Sequence, residues 1–277
     1  MDAGFWLLAG MVPLAFAAEY VDSSLGMGYG TTLSPILLAV GFEPLQVVPA
    51  ILVSELITGV AAGFTHHRLG NVDLRPRTIS LRRIAAGLRR YGPVEAARRG
   101  LPPALRIAAV IGTASVVGTM VAALVALSLP PAVLVIYIGV LVIALGVLML
   151  TTRRVTLAFS WRRILGLGVL ASFNKGISGG GYGPVVTTGQ VLSGVDVRSA
   201  VAITSAAEAL TCAAGVAVYL VGAHIDWALV PVLTGGALLS VPLTGITVRR
   251  IDRTAMRTAV GVAALGLGAL ALVKGLI

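Results

Sequence analysis

Lys175, Glu55 and Glu208 stand inside long apolar runs, where an ionisable side chain is costly and marks a functional position. An ammonium at such a depth costs about 2.5–3.5 kcal/mol on insertion scales, and holding an anion is chemistry that offsets it. A buried carboxyl can pass a proton or accept hydrogen bonds from exposed backbone amides. Beside these residues run two glycine-rich stretches, DSSLGMGYG at 22–30 and KGISGGGYG at 175–183. Helices restarting at Gly28-Tyr29-Gly30-Thr31 and at Gly181-Tyr182-Gly183-Pro184 would aim their first amides and positive dipole ends at a shared anion. Glycine lets a ligand approach the main chain, and the hydroxyls of Ser23, Ser24, Thr31, Thr32 and Ser178 add donors nearby. The alternative is that the glycines serve only close packing of helices.

The two stretches superpose at a constant offset of 153 positions. Carried forward without a gap, the offset pairs Gly41 with Gly194, Glu55 with Glu208, Thr58 with Thr211, Ala61 with Ala214 and Asp73 with Asp226. A register held over about fifty residues, with a carboxylate in each apolar segment, indicates a duplicated unit.

Each candidate carries two readings. Lys175 holds the substrate directly, or forms an ion pair with Asp22, its equivalent in the other repeat. Glu55 and Glu208 couple protons, or brace the free amides of the glycine loops, which their retention in both halves favours; Asn174 and Asp22 belong to the same supporting group. Tyr29 and Tyr182 offer phenol donors to a ligand, or pack against the opposite hairpin. His66 and His67, beside Arg68, read as solvated residues at a membrane boundary, and the lone Cys212 as a small buried hydrophobe. No Cys/His spacing suggests a metal site and no Walker-type loop is present, so neither a metal nor a cofactor is expected.

The elements that must position these residues follow from composition. Hydrophobic residues make up 57% of 277 and charged residues 12%, with a mean hydropathy of +0.97, which excludes a soluble globular domain and predicts an all-α polytopic membrane protein. Apolar segments are predicted at 4–21, 31–40, 45–65, 107–129, 132–150, 164–174, 184–194, 197–222, 227–248 and 254–276. The 31–40 piece is too short to cross, and the ten or so apolar residues after Arg163 reach only mid-membrane. Ala15-Phe16-Ala17 imitates a signal-peptidase site, but Asp2 replaces a basic n-region and cleavage would delete a helix whose counterpart is needed.

The formal net charge of +10 is a matter of location and does not point to nucleic acid. Nineteen of the 21 basic residues lie in the 68–106 loop, the 153–163 connector, Arg198 and the 249–257 stretch, as cytoplasmic faces require. The LRRIAAGLRRY portion of the first loop suits an amphipathic helix on an anionic leaflet. All four arginine groups fall inside only if the interrupted segments turn back. That gives two inverted-topology repeats of five segments, 1–152 and 153–277, each opening with a broken or re-entrant hairpin, and both termini outside.

The two breaks, the Glu55 and Glu208 positions and HHRLGNVD at 66–73 together resemble the TauE/SafE sulfite exporter family of membrane permeases, over nearly the whole chain. The resemblance implies movement of small sulfur-containing anions such as sulfite, thiosulfate, sulfoacetate or isethionate, and it supplies no catalytic motif. The arginine-rich 75–106 loop departs from the family pattern and leaves a regulatory or lipid-binding role open. The expectation is a secondary transporter exporting such an anion by alternating access, with the substrate between the hairpins near the midplane. An inside-negative potential favours anion export by about 2.3 kcal/mol per charge per 100 mV. Expected partners are the small anion and the lipid bilayer; a homodimer and proton coupling stay open. Rival readings are a permease for a divalent cation or another anion, a non-transporting scaffold, and an intramembrane enzyme.

Overall fold

The computed structural model describes residues 3–78, 80–151, 158–222, 225–247 and 252–276, and every regular element among these is a helix. Helix α1 (Ala3–Leu25) stops at Gly26 and Gly28, whose φ values of 69° and 139° no L-residue adopts comfortably. Helix α2 (Tyr29–Val40) follows and closes at Gly41, whose amide returns to the carbonyls of Leu37 and Leu38. Helix α3 (Pro44–Arg68) starts with a proline and a reciprocal cap between Glu43 and Gln46. Helix α4 (Leu81–Gly100) is kinked at Gly92, directly before Pro93. Helices α5 (Pro103–Ser128) and α6 (Pro131–Thr151) complete the first half.

The second half follows the same order without an equivalent of α4. Helix α7 (Trp161–Ser178) ends at Gly179 and helix α8 (Tyr182–Leu192) starts after Gly181, both glycines at positive φ. Helix α9 (Val197–Val221) is capped by Asp196, which accepts from the Arg198 and Ser199 amides; α10 (Leu229–Thr247) and α11 (Arg253–Leu276) end the chain.

Two boundaries differ from the sequence expectation. Asp22, Ser23 and Ser24 lie in the last turn of α1, not in the break, and α7 is 18 residues long, about 27 Å at 1.5 Å per residue, instead of a half-depth stub. Asn174 and Lys175 prolong the helix because tertiary partners satisfy them, and Ser178 returns its hydroxyl to the Asn174 carbonyl. Arg153, Arg154, Arg249 and Arg250 lie outside the described residues, as does the side chain of Lys274.

Helix α1 packs on α10 and α7 on α5; α3 packs on α9 and α6 on α11. Gly63 and Gly59 of α3 face Ala206 and Ala209 of α9, while Gly215 of α9 faces Leu52 of α3, so these two helices run antiparallel. Gly139 and Gly146 of α6 likewise meet Gly268 and Gly261 of α11, backbone against backbone. Helices α3, α5, α6, α9 and α10 are long and apolar enough to cross a membrane, and α2 is a shorter apolar helix. Outward-facing side chains such as Val117, Leu124, Leu239, Ile246, Val262 and Leu270 are bare, as surfaces that meet lipid must be.

Candidate functional site

The two glycine breaks meet in the interior. A Cβ on Gly30 would overlap the Gly179 carbonyl, and one on Gly183 would overlap the Gly26 carbonyl. Only glycine permits main chains this close. Ser34 Oγ of α2 donates to the Ser178 carbonyl at 2.6 Å, and Thr187 Oγ1 of α8 donates to the Gly26 carbonyl at 2.7 Å. Thr31 Oγ1 accepts from the Gly181 amide at 3.4 Å. In this conformation peptide fills the gap between the hairpins where the sequence placed a substrate.

Beside the breaks, Lys175 in the last turn of α7 donates from Nζ to Glu208 Oε1 at 2.7 Å and also to Glu55 Oε2. The lysine side chain is 1% exposed and the carboxylates 4% and 6%. The negative end of the α7 dipole suits an ammonium at that position. One cation thus gathers the two carboxylates that stand 153 positions apart, one from α3 and one from α9.

This corrects the expected pairing. Asp22 does not hold Lys175; its Oδ1 accepts from the Tyr29 amide at 3.1 Å, at the start of α2. The bracing of a free amide, which the sequence assigned to Glu55 and Glu208, is Asp22's geometry. Ser178 Oγ braces the second break, donating to the Asn174 carbonyl at 2.7 Å and accepting from the Gly180 amide at 3.1 Å. Asn174 Oδ1 accepts from Tyr137 at 2.7 Å.

The tyrosine phenols are buried and engaged with protein. Tyr29 pairs with Ser54 at 2.7 Å, and Tyr182 with Ser115 at 3.2 Å. Ser24 Oγ is buried with no hydrogen-bond partner among the described residues, whereas Thr32 returns its hydroxyl to the Gly28 carbonyl at 2.7 Å. Cys212 is fully buried, as expected.

Two residues carry more than the sequence suggested. Glu19, 2% exposed in α1, accepts from Ser23 Oγ on one oxygen and from Thr58 Oγ1, at 3.2 Å, on the other. His66 is buried, not solvated: Nε2 lies 3.0 Å from the Ser23 carbonyl and Nδ1 lies 3.1 Å from Asn71 Nδ2. Its equivalent at the 153-residue offset, Tyr219, donates to the carbonyl of Gly176, which is the equivalent of Ser23. Only His67, half-buried against the Val72 carbonyl, keeps the boundary position read for both.

The sulfite exporter TauE/SafE family model matches residues 11–88 and 92–271. The chain belongs to the TauE/SafE family. As a TauE/SafE protein it is a multi-pass membrane transporter. It is 26% identical over 262 residues to the probable membrane transporter protein YtnM of Bacillus subtilis (strain 168), covering 90% of this chain and 77% of that relative. No solved structure matches this TauE/SafE chain.

Proposed function

We propose that this transporter exports a small sulfur-containing anion, sulfite or an organosulfonate, by alternating access between two inverted repeats, 1–152 and 153–277. The observation that carries the reading is the convergence of Glu55 and Glu208 on Lys175 beside two abutting glycine breaks. An entering oxyanion takes the ammonium in place of a carboxylate, and it gains the amides of the breaks as the hairpins part.

The inverted arrangement is supported by the direction of equivalent helices. Helices α3 and α9 are partners at the 153-residue offset and run antiparallel, and α6 and α11, which correspond by order once α4 is left out, also run antiparallel. The packing of α1 on α10 repeats as α7 on α5 when the halves are exchanged. Such halves rock against each other about a central site. With arginine-rich segments inside, both termini lie outside and α4 rests on the anionic leaflet.

The test is a thermal-shift panel of sulfite, thiosulfate, sulfoacetate, isethionate and sulfate, followed by flux of the stabilising anion in proteoliposomes. A ligand of the native state raises apparent stability by mass action, and Lys175→Ala removes that shift. A second reading, a cation permease, is favoured by the excess of buried carboxyls over ammonium. It predicts binding that survives Lys175→Ala and is lost in Glu55→Gln and Glu208→Gln.

A further inference from the structure

The turn between α8 and α9 carries an exposed glycine, Gly194, and from its neighbour Ser193 a file of buried polar side chains leads inward. Ser193, Gln190 and Thr187 follow one another at three-residue spacing and so share one face of α8 and its cap. Gln190 Nε2 donates to Thr204 Oγ1 of α9 at 2.9 Å and to the Ala200 carbonyl at 3.5 Å, and Thr187 Oγ1 lies 2.8 Å from Thr204 Oγ1. One turn beyond Thr204 on the same face of α9 stands Glu208, which holds Lys175. The file thus joins an exposed turn to the central ion pair.

Two atoms in it lack a partner. Gln190 Oε1 and Ser193 Oγ are buried with no hydrogen bond among the described residues, a costly arrangement inside a protein. Packing does not demand it. At the 153-residue offset the first half carries Leu37 for Gln190, Val40 for Ser193, Ile51 for Thr204 and Val47 for Ala200. Leu37, Ile51 and Val47 are fully buried, so aliphatic side chains close the α2–α3 seam where polar ones line the α8–α9 seam.

We propose that the α8–α9 seam is the hydrated passage by which the anion moves between the Arg198 end of the molecule and Lys175, and that the α2–α3 seam is a dry plug; the proposal rests on the alternating-access reading above. As α8 draws away from α9, the Gln190 amide hydrogens leave Thr204 and Ala200 and, with the Ser193 hydroxyl, become free to donate to an oxyanion. Neutral donors replace part of its hydration shell without the grip of an arginine, so the ion enters and leaves readily. Leu37, Ile51 and Val47 offer no donor, and an apolar constriction of this kind excludes water and ion until its walls part. The seam therefore exchanges with water while the plug stays dry.

Cysteine accessibility tests this on the full chain in everted and right-side-out membrane vesicles, in a Cys212→Ala background, with a charged methanethiosulfonate reagent and no anion substrate. Ser193→Cys and Gln190→Cys are expected to react from the cytoplasmic side, and Leu37→Cys about ten-fold more slowly from either side, as a thiol in apolar surroundings does. Ser193→Cys exchanges a single atom and covers failure of Gln190→Cys to fold. Gln190→Leu, which installs the side chain of the other half, is expected to keep the thermal shift with anion while its flux in proteoliposomes falls about ten-fold. No reaction at either seam cysteine, Leu37→Cys reacting as fast as they do, or wild-type flux through Gln190→Leu overturns the passage. Reaction of the seam cysteines from the outer side upholds the passage and overturns the orientation read from the arginines. The expected labelling in a protein that binds no anion of the panel upholds it and overturns the substrate reading.

Discussion

Ser34 and Thr187 are equivalent at the 153-residue offset, and each donates its hydroxyl across the centre to the opposite break, Ser34 to the Ser178 carbonyl and Thr187 to the Gly26 carbonyl. The two bonds form a reciprocal clasp that holds the hairpin tips together. Under the proposed alternating access, opening the site from either side breaks one or both.

Removing the second half of the clasp is expected to cost more than removing the first. Ser34→Ala deletes one buried hydrogen bond and leaves a carbonyl short of a donor, about 1 kcal/mol, whereas Thr187→Val also deletes the 2.8 Å contact with Thr204 Oγ1. Thermal unfolding in detergent reads the loss, and faster anion exchange in proteoliposomes reads the loosened tips.

Lys175→Ala should be far more damaging than either. It leaves Glu55 and Glu208 buried without their cation, and breaking a buried ion pair costs about 3–5 kcal/mol. Adding Glu55→Gln and Glu208→Gln to Lys175→Ala should recover most of that stability, because the uncompensated charges are gone. Anion binding should not return, which separates the lysine's structural contribution from its role toward the ligand.

Gly30→Ala and Gly183→Ala test the contact between the breaks. Each new methyl collides with main chain, which cannot move aside as a flexible side chain would, so a loss at or above the usual overpacking range of about 1–3 kcal/mol is expected. Gly235→Ala, which meets nothing within 4 Å, is the matched control and should melt like wild type.

The α4 segment responds to acid through Glu95. The hydrogen bond from Arg99 at 2.9 Å, then the charges of Arg98 and Arg99, hold its carboxyl below the ordinary carboxylate value. A depressed carboxyl stabilises the folded form above its unfolded pKa and loses that contribution as pH falls through the folded one. Protection of the amides of residues 94–100, taken relative to their intrinsic exchange rates, should therefore fall below the ordinary carboxylate range, and Glu95→Gln should abolish the dependence. The pair is exposed, so the effect is small and shrinks with salt.

The breaks were legible because glycine at positive φ leaves a compositional mark, and the mark recurs 153 positions on. Helix restarts at Tyr29 and Tyr182 follow the same register. The helix ends were not legible. Asp22 and Lys175 look like residues that stop a membrane helix, and whether they do depends on partners from other elements. The choice of partner was hidden for the same reason: equivalence in the repeat suggested Asp22 for Lys175, while the antiparallel approach of α3 and α9 brings Glu55 and Glu208 to it. Glu19 escaped notice because its equivalent is Ser172, so a search for matched pairs passes over it. His66 was hidden by its neighbours, since a histidine beside His67 and Arg68 reads as surface until the turn of α3 is known.

That mismatch between halves has a further effect. Where the second half carries hydroxyls, at Ser172 and Tyr219, the first carries an acid and an imidazole, Glu19 and His66, and the first alone bears the arginine-rich helix α4. On the proposed two-fold plan, a toggle with identical halves would spend equal time open to each compartment. Here the halves are chemically unequal, so on that plan the two resting orientations are expected to differ in energy even with no ligand present.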